Sequence, residues 1–453
     1  MINSPAFAGK KYAVLGLARS GAATVEALLA SGAEVLAWDR QEEPRAAFQG
    51  RCEIGDPLES DLTGFAGVVV SPGVPLNTHP IKPYAEKFGV PVIGDIELFA
   101  QARGDLPPHK VVGITGTNGK STTTALVHHI LKTAGVPTSM GGNIGLPILT
   151  QDPLPDGGVY VLELSSYQID LTFSLDCDVA VLLNITPDHL DRYDGSFEKY
   201  VASKARLMEM QSASKLALIG CEEEHTKAIF QQEQSRRGEG RSACLDKRPI
   251  VSLQPLWSGL QGPHNLENSA AAIAAVEELG CNREDWQHAM PLFNGLPHRM
   301  ERVTEYEGVL FVNDSKATNQ ASTAPALGAY LPDPEPRIHW IVGGLPKEDG
   351  LGECEQHLGN VAVAYTIGEA GPRFAELLAP HLPVERAELL CEAVKRATAN
   401  AKPGDVILFS PACASFDQFR DYEQRGEHFR QLVAAITRAP EEIQHALAQG
   451  NTA

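Results

Sequence analysis

The sequence predicts an α/β protein of three domains, each built on a largely parallel sheet, and three observations carry that prediction. Its 453 residues correspond to about three domains of roughly 150 residues each. Short β-rich runs alternate with amphipathic helical patterns along the chain, the signature of doubly wound sheets. A glycine-rich turn, GITGTNGKSTTT, joins one such run to a helical segment, which is phosphate-loop context.

Taken in order, residues 1–98 read as a Rossmann-like domain: KYAVLGLA, a helix to about Ser31, EVLAWD, GVVVSPGV and VPVIGD. At QARGDLPPH (101–109) two adjacent prolines and a loss of periodicity mark a linker. Residues 99–297 read as a P-loop ATPase-like domain. Here KVVGIT precedes the glycine-rich turn, TTALVHHILKTAG continues it as a helix, and YVLELS, VAVLLNIT and KLALIG follow as strands. The polar stretch QQEQSRRGEGRS (231–242) reads as an exposed loop. Residues 298–453 repeat the pattern as a second Rossmann-like domain, with GVLFVND, RIHWIVGG, VAVAYTIG and DVILFSP as strands.

Composition narrows the function classes. Apolar residues at 43% and charged residues at 21% are globular values. With 57 acidic against 38 basic residues the formal charge is −19, a field that repels bulk nucleic acid and anionic membrane. Any polyanionic substrate must therefore be met by local amides and a few placed cations. The eight cysteines, at 52, 177, 221, 244, 281, 354, 391 and 413, form no CxxC pair and read as reduced thiols of a cytosolic protein. Arg19 and Ser20 interrupt the apolar stretch after Lys10 and Lys11, so no signal peptide is expected. No apolar run reaches the roughly 18 residues of a membrane span, and a cytoplasmic, soluble chain is expected.

In the glycine-rich turn the strict GxxxxGKS pattern would need glycine where Ile114 stands, so Gly113, Gly116 and Gly119 make a variant loop. Glycines let main-chain amides approach phosphate oxygens. Lys120 offers a cation to the β- and γ-phosphates, and the hydroxyl of Ser121 or Thr122 reaches Mg²⁺. Elsewhere the residues taken alone leave bland readings open. Glu163 is a solvated strand-end carboxylate, His189 a turn histidine bonded to backbone, and Lys204 a solvated cation on the helix SFEKYVASKARLMEM. Asn143 follows a Gly-Gly turn, and Asn265 and Asn268 share one face of an alanine-rich helix. GLARSG keeps Gly16 and Gly21 but has Ala18 in place of the middle glycine of GxGxxG, a weak dinucleotide signal. Asp39 and Arg40 end the second strand, where a ribose or base contact and an ordinary strand end read alike. His298 and Arg299 read as a hinge, and Asp314, Lys316 and Thr318 as a polar turn after a strand.

The turn TGTNGKST resembles the ATP loop of the Mur ligase family, the amide-forming enzymes of peptidoglycan precursor synthesis. GGNIG, LELSSYQ, NITPDHLDRY, SKARL, HNLENSAAA, LPHRME, NDSKATN and SPACASFDQF follow in family order. NDSKATN and SPACASFDQF are most similar to the member that adds D-glutamate. The resemblance implies an ATP-dependent ligase joining D-glutamate to UDP-N-acetylmuramoyl-L-alanine through an acyl phosphate, with ATP and two Mg²⁺ as cofactors and a monomeric state.

Residue by residue, the resemblance implies ATP contacts from Gly116, Thr117, Asn118, Gly119, Lys120, Ser121, Thr122, Asn268, Arg299 and Asp314. It implies UDP-substrate contacts from Gly16, Ala18, Arg19, Ser20, Asp39, Arg40, Ser71, Gly73 and Asn143, and D-glutamate contacts from Thr318, Lys347, Ser415, Phe416 and Tyr422. Metal ligands would be Ser121, Glu163, His189 and a carbamylated Lys204, and catalysis would fall to Lys120, Lys204, His189 and Lys316. One departure stands out: Leu345, Pro346 and Lys347 occupy positions where some relatives carry Asp-Gly-Lys, so an acidic contact is missing.

Three other readings are weighed against this one. A different Mur ligase is one, but the Asp-Asn-Pro-Arg segment of the diaminopimelate-adding relative is absent from the sequence. A folylpolyglutamate synthase would place its phosphate loop near the chain start, whereas here the turn begins at Gly113. A P-loop ATPase that switches a binding surface would hydrolyse ATP without a covalent product.

Overall fold

The computed structural model describes residues 1–346 and 349–449; Lys347, assigned above to D-glutamate, lies outside the described residues. The chain divides into two compact units. The first comprises Met1–Trp257 with Pro263–Phe293, and the second comprises Ser258–Gly262 with the described chain from Asn294 onward.

The first unit holds two sheets. One is a five-stranded parallel sheet in the order β3-β2-β1-β4-β5, from β1 (Lys11–Leu15), β2 (Glu34–Trp38), β3 (Glu53–Ile54), β4 (Phe65–Val70) and β5 (Val92–Ile93). The other is six-stranded, parallel, in the order β11-β10-β9-β6-β8-β7. Its strands are β6 (His109–Thr115), β7 (Thr138–Gly142), β8 (Gly158–Glu163), β9 (Val179–Leu182), β10 (Leu216–Ile219) and β11 (Ser242–Cys244). The chain leaves β6 toward β8 and β7 and returns to β9 on its other side, so the carboxyl ends of β6 and β9 form a topological switch point, where open α/β sheets bind ligands. That is where the glycine-rich turn falls.

One hydrophobic core runs through both sheets, with Tyr12, Val14 and Phe99 in the same buried cluster as Tyr160 and Leu162. The segment read as a linker, and the helix leading into it, are accordingly tied to the central domain. Arg103–Asp105 forms a 3-10 turn, Arg103 Nη1 donates to Asp176 O at 2.7 Å, and the buried Glu97 accepts from the backbone N–H groups of Phe173 and Ser174.

The second unit is built on the order β12-β13-β17-β14-β15-β16, from β12 (Glu301–Tyr306), β13 (Val309–Asn313), β14 (Ile338–Gly343), β15 (Val361–Ile367), β16 (Val384–Glu388) and β17 (Val406–Phe409). Among the described residues, the edge strand β12 alone runs antiparallel. The α/β class and the largely parallel sheets are as the sequence predicts.

Two expectations are corrected. The stretch 231–242 is only in part an exposed loop: the helix Glu224–Arg236 runs through its first half, and Glu233 and Arg237 are buried. Glu233 accepts from both Arg236 and Arg237, whose guanidiniums also donate to Met208 O. Polar composition there reflects a buried ion cluster bonding the carboxyl end of the preceding helix, Phe197–Glu209. Nor are all cysteines reduced: Cys221 and Cys244 form a disulfide. The parallel register pairs Ile219 with Cys244, which brings together two cysteines 23 residues apart. Among the described residues, no helix is long and apolar enough to cross a membrane.

Candidate active site

β6 feeds the turn, and the helix Lys120–Thr133 begins directly after it. Gly119 holds φ 82°, a left-handed conformation that disfavours side chains. A Cβ there would also collide with Asn268 Oδ1. The helix Pro263–Glu278 thus packs on the turn through Asn268, which also accepts from Thr123 Oγ1 at 3.2 Å and donates to Asn265 Oδ1 at 3.1 Å. Lys120 Nζ donates to the carbonyls of Gly116 (2.9 Å) and Thr117 (2.7 Å). A residue the sequence reading missed completes the turn: Asn184, after β9, accepts from Thr117 N through its carbonyl and from Asn118 N through its side chain. The N–H groups at the helix start point out of its first turn, the arrangement in which a helix N-terminus can receive an anion.

Beside the turn lies a cleft of about 340 Å³ lined by Gly73, Lys120, Asn143, Tyr167, His189 and Lys204, among others. Five predicted residues from distant parts of the sequence, Gly73, Lys120, Asn143, His189 and Lys204, therefore meet in one cavity. Glu163 stands behind Asn143, whose amide donates to Glu163 Oε1 at 2.7 Å. Its other oxygen is buried and, among the described residues, has no hydrogen-bond partner.

Neither Glu163 nor Lys204 is the solvated group its sequence context alone suggests: they are 2% and 1% exposed. Lys204 Nζ donates to Gly116 O at 2.8 Å and lies 4.7 Å from the Tyr200 ring centre. Burial, helped by the nearby Lys120 charge, drives the Lys204 amine well below the ordinary lysine range, against the opposing pull of Asp188, Asp170 and Glu163. His189 is half-exposed in a left-handed turn (φ 51°), its ring 5.4 Å from that of Tyr167.

A divalent cation fits this donor set. An unsatisfied buried carboxylate oxygen needs a partner, and Ser121 is buried in the first turn of the phosphate-loop helix. Among the described residues no three His, Cys, Asp or Glu side chains converge as a metal cage. The fit is to a cation such as Mg²⁺, which binds through one or two carboxylates plus substrate phosphates.

In the five-stranded sheet, Gly16 and Ser71 meet at the carboxyl ends of β1 and β4, Ser71 Oγ donating to Gly16 O at 2.7 Å. The carboxylate of Asp39, after β2, accepts from Leu17 N and Gln41 N and shapes this loop. Ala18 is the extended residue preceding the helix Arg19–Ala30, Ser20 lies in its first turn, and Arg40 is exposed beside Asp39. Two arginines tie this end to the central sheet. Arg19 donates to Gly145 O at 3.1 Å, and Arg192 donates to Gly73 O and Val74 O at 3.0 and 3.1 Å.

In the second unit, Asp314 is buried at the end of β13 and accepts from Ser410 Oγ (2.7 Å) and Met300 N (3.1 Å). Arg299 lies close enough to act on its charge. Lys316 Nζ lies 3.9 Å from the Tyr422 ring centre. Ser415 is buried, its neighbour Phe416 is 68% exposed, and Thr318 follows two residues after Lys316. Leu345 pairs both its backbone N–H and its C=O with Ala414.

Burial pushes the Asp314 carboxyl up to about 7. Between its ordinary value and pH 7 the native state then binds more protons than the unfolded chain, so this group's contribution to stability falls as pH rises. Asp314→Asn should abolish that share: the wild-type advantage in melting temperature over the variant should shrink from pH 4 to pH 7, as read by thermal denaturation at several pH values.

Comparison with known proteins agrees along the chain. Residues 10–94 match the Mur ligase MurD-like N-terminal domain, 114–276 the Mur ligase middle domain, and 298–413 the Mur ligase glutamate ligase domain. The UDP-N-acetylmuramoylalanine--D-glutamate ligase of Novosphingobium aromaticivorans is 65% identical over 96% of this chain and 97% of its own. That of Sphingopyxis alaskensis is 59% identical over 96% of this chain and all of its own. The fold is shared with UDP-N-acetylmuramate-alanine ligase MurC of Thermotoga maritima, at 16% identity and a TM-score of 0.57, covering 94% of this chain and 99% of the other. MurF ligase of the same organism, solved with ADP, has 17% identity and a TM-score of 0.57, covering 94% and 96%. On this extent of matching, the chain belongs to the Mur ligase family.

Proposed function

We propose that this chain is an ATP-dependent ligase that joins D-glutamate to UDP-N-acetylmuramoyl-L-alanine in the cytoplasm, acting as a monomer. The observation that carries the reading is the cleft in which Lys120, Lys204 and Asn143 meet, with the half-satisfied Glu163 carboxylate behind it. That cleft belongs to a chain whose similar relatives bear the name of this ligase. We take residues 1–98 for the UDP-substrate, 99–297 for ATP and 298–453 for the amino acid.

An amide does not form spontaneously from a carboxylate and an ammonium in water, so the carboxylate must be activated. Its oxygen attacks the γ-phosphorus, ADP departs, and an acyl phosphate results. The deprotonated D-glutamate amine then attacks the acyl carbon, and phosphate leaves as the tetrahedral species collapses. In this scheme Lys120 exchanges its two loop carbonyls for phosphate oxygens, aided by the amides of 119–122. Asn268, Asn265, Arg299 and Asp314 hold the nucleoside and its phosphates. Gly16 to Ser20, Asp39, Arg40, Ser71, Gly73 and Asn143 hold the UDP-sugar. In the second unit Lys316 is assigned to the developing oxyanion, and Thr318, Lys347, Ser415, Phe416 and Tyr422 to D-glutamate, whose two carboxylates call for a cation and hydroxyl donors. Glu163, Ser121, His189 and a carbamylated Lys204 would hold Mg²⁺, whose charge, when bound, neutralises phosphate oxygens.

Phosphate release from ATP should require both UDP-N-acetylmuramoyl-L-alanine and D-glutamate. The new amide product should appear one-for-one with phosphate by mass spectrometry. Fast release with neither acceptor would instead mark an ATPase, and product formation with another amino acid would move the chain to a different ligase. The fold is also shared with E. coli FolC, but the MurD-like N-terminal match to residues 10–94 favours a UDP-sugar substrate.

A further inference from the structure

Arg425 has no place in the scheme above, yet it is among the largest fully buried side chains of the second unit. Among the described residues it takes part in no ion pair within 4.0 Å, unlike the buried Arg237 with its Glu233 partner. A buried guanidinium without a carboxylate is costly, and a well-packed apolar side chain would fill the same space at lower cost. Its hydrogen bonds show what it supplies instead. Nε donates to Ser315 Oγ (3.1 Å), Nη1 to Ala414 O (3.1 Å), and Nη2 to both Ser315 O (2.8 Å) and Cys413 O (3.0 Å).

These acceptors belong to two loops at the carboxyl ends of β13 and β17. One loop carries Lys316 and Thr318, the other Ser415 and Phe416. A third segment is drawn in through backbone. Leu345 and Ala414 exchange both hydrogen bonds, and Gly344 lies so near that a Cβ on it would be 3.1 Å from Arg425 Nη1. Ser315 Oγ passes the connection on by donating to Tyr422 O at 2.8 Å. One planar, rigid fork thus fixes every described segment to which D-glutamate contacts are assigned.

We propose that Arg425 is a positioning residue for the amino-acid site: its guanidinium holds the loops around Ser315, Leu345 and Ala414 in the register that the incoming dicarboxylate needs. This rests on the D-glutamate reading above. The residue touches no substrate and acts through the loops. Lysine would keep the charge but cannot donate in the same fan of directions.

The test compares Arg425→Lys and Arg425→Gln with wild type in phosphate-release assays. If register is what matters, both variants raise KM for D-glutamate about tenfold or more, the scale of losing charge-assisted hydrogen bonds, and KM for ATP and for the UDP-sugar stays within about twofold. Amide hydrogen exchange in 314–318 and 413–416 should also quicken in both variants. Ser315→Ala, which removes the Nε acceptor and the bond to Tyr422 O but leaves the guanidinium its three carbonyl bonds, should shift the same KM in the same direction, and it decides the matter if neither Arg425 variant folds. An unchanged KM for D-glutamate, or an equal rise in all three KM values, overturns the proposal. A wild-type protein that makes no D-glutamyl product overturns the ligase reading instead, and unchanged exchange in the two loops then still counts against the role given to Arg425.

Discussion

Lys120→Ala is expected to lower kcat for phosphate release by about 10³-fold or more while the protein keeps its fold. The loss is large because transfer of the γ-phosphoryl group concentrates charge that only a few groups can meet in a chain carrying a net −19. Lys120 is placed for this at the first position of the helix Lys120–Thr133, reaching back over Gly116 and Thr117. The fold should tolerate its removal because the turn is held by other bonds. Thr117 and Asn118 are anchored on Asn184, and Asn268 closes over Gly119. Melting temperature should move by no more than a few degrees, equivalent to about 1 kcal/mol in a protein of this size. The measurement is a pair: steady-state phosphate release and a thermal melt. Turnover near wild type would remove Lys120 from the phosphate role, and collapse of the melt would show that its two carbonyl bonds hold the turn.

How far the sequence discloses this site depends on whether the signal is local. The phosphate loop is legible because strand, glycines and lysine lie within a dozen residues. The strands with long apolar runs, such as β6, β9, β14 and β17, are equally plain. The short edge strands β3 and β11, and β16 with its alternating charges, offer too few apolar residues to register. Asn184 could not be singled out either, since its role as a template for the Thr117 and Asn118 amides exists only once β9 lies beside β6. The same is true of the disulfide, which depends on parallel register between β10 and β11. Arg425 sits in a polar helical stretch, and a lone arginine there reads as solvent-facing until α/β packing encloses it. Lys204 is the sharpest case: an amphipathic helix with a lysine gives no hint that this lysine faces inward, and only the resemblance marks it.

Lys204→Ala is expected to reduce kcat by about 10³-fold, and a short carboxylic acid such as acetate or propionate is expected to restore part of it. Protonation of the amine decides the first step. Carbamylation joins a neutral amine to CO₂ and releases one proton, so it is negligible for a lysine titrating near 10.4 and favoured for one pushed well below that by burial and by the Lys120 charge. The product, an N-carboxylate, keeps one N–H, enough to retain the bond to Gly116 O. It also turns a buried cation into an anion beside Lys120, with which it attracts instead of repelling. A cation bound to Glu163 would stabilise it further, because the two carboxylates would then share one positive charge.

The competing role, an uncarbamylated Lys204 acting as a phosphate clamp, predicts the opposite pattern. Lys204→Arg would then keep substantial activity, and added carboxylates would do nothing for Lys204→Ala. Under the carbamate reading Lys204→Arg is inactive, because guanidinium does not add CO₂ at neutral pH. Activity of the wild type should also fall when dissolved CO₂ is stripped at mildly acidic pH, where the carbamate decomposes, and recover on addition of bicarbonate at neutral pH. Rescue that rises with acetate concentration and saturates would place a carboxylate where the Lys204 side chain now ends. Absence of rescue together with an active Lys204→Arg would leave the buried amine as a phosphate ligand.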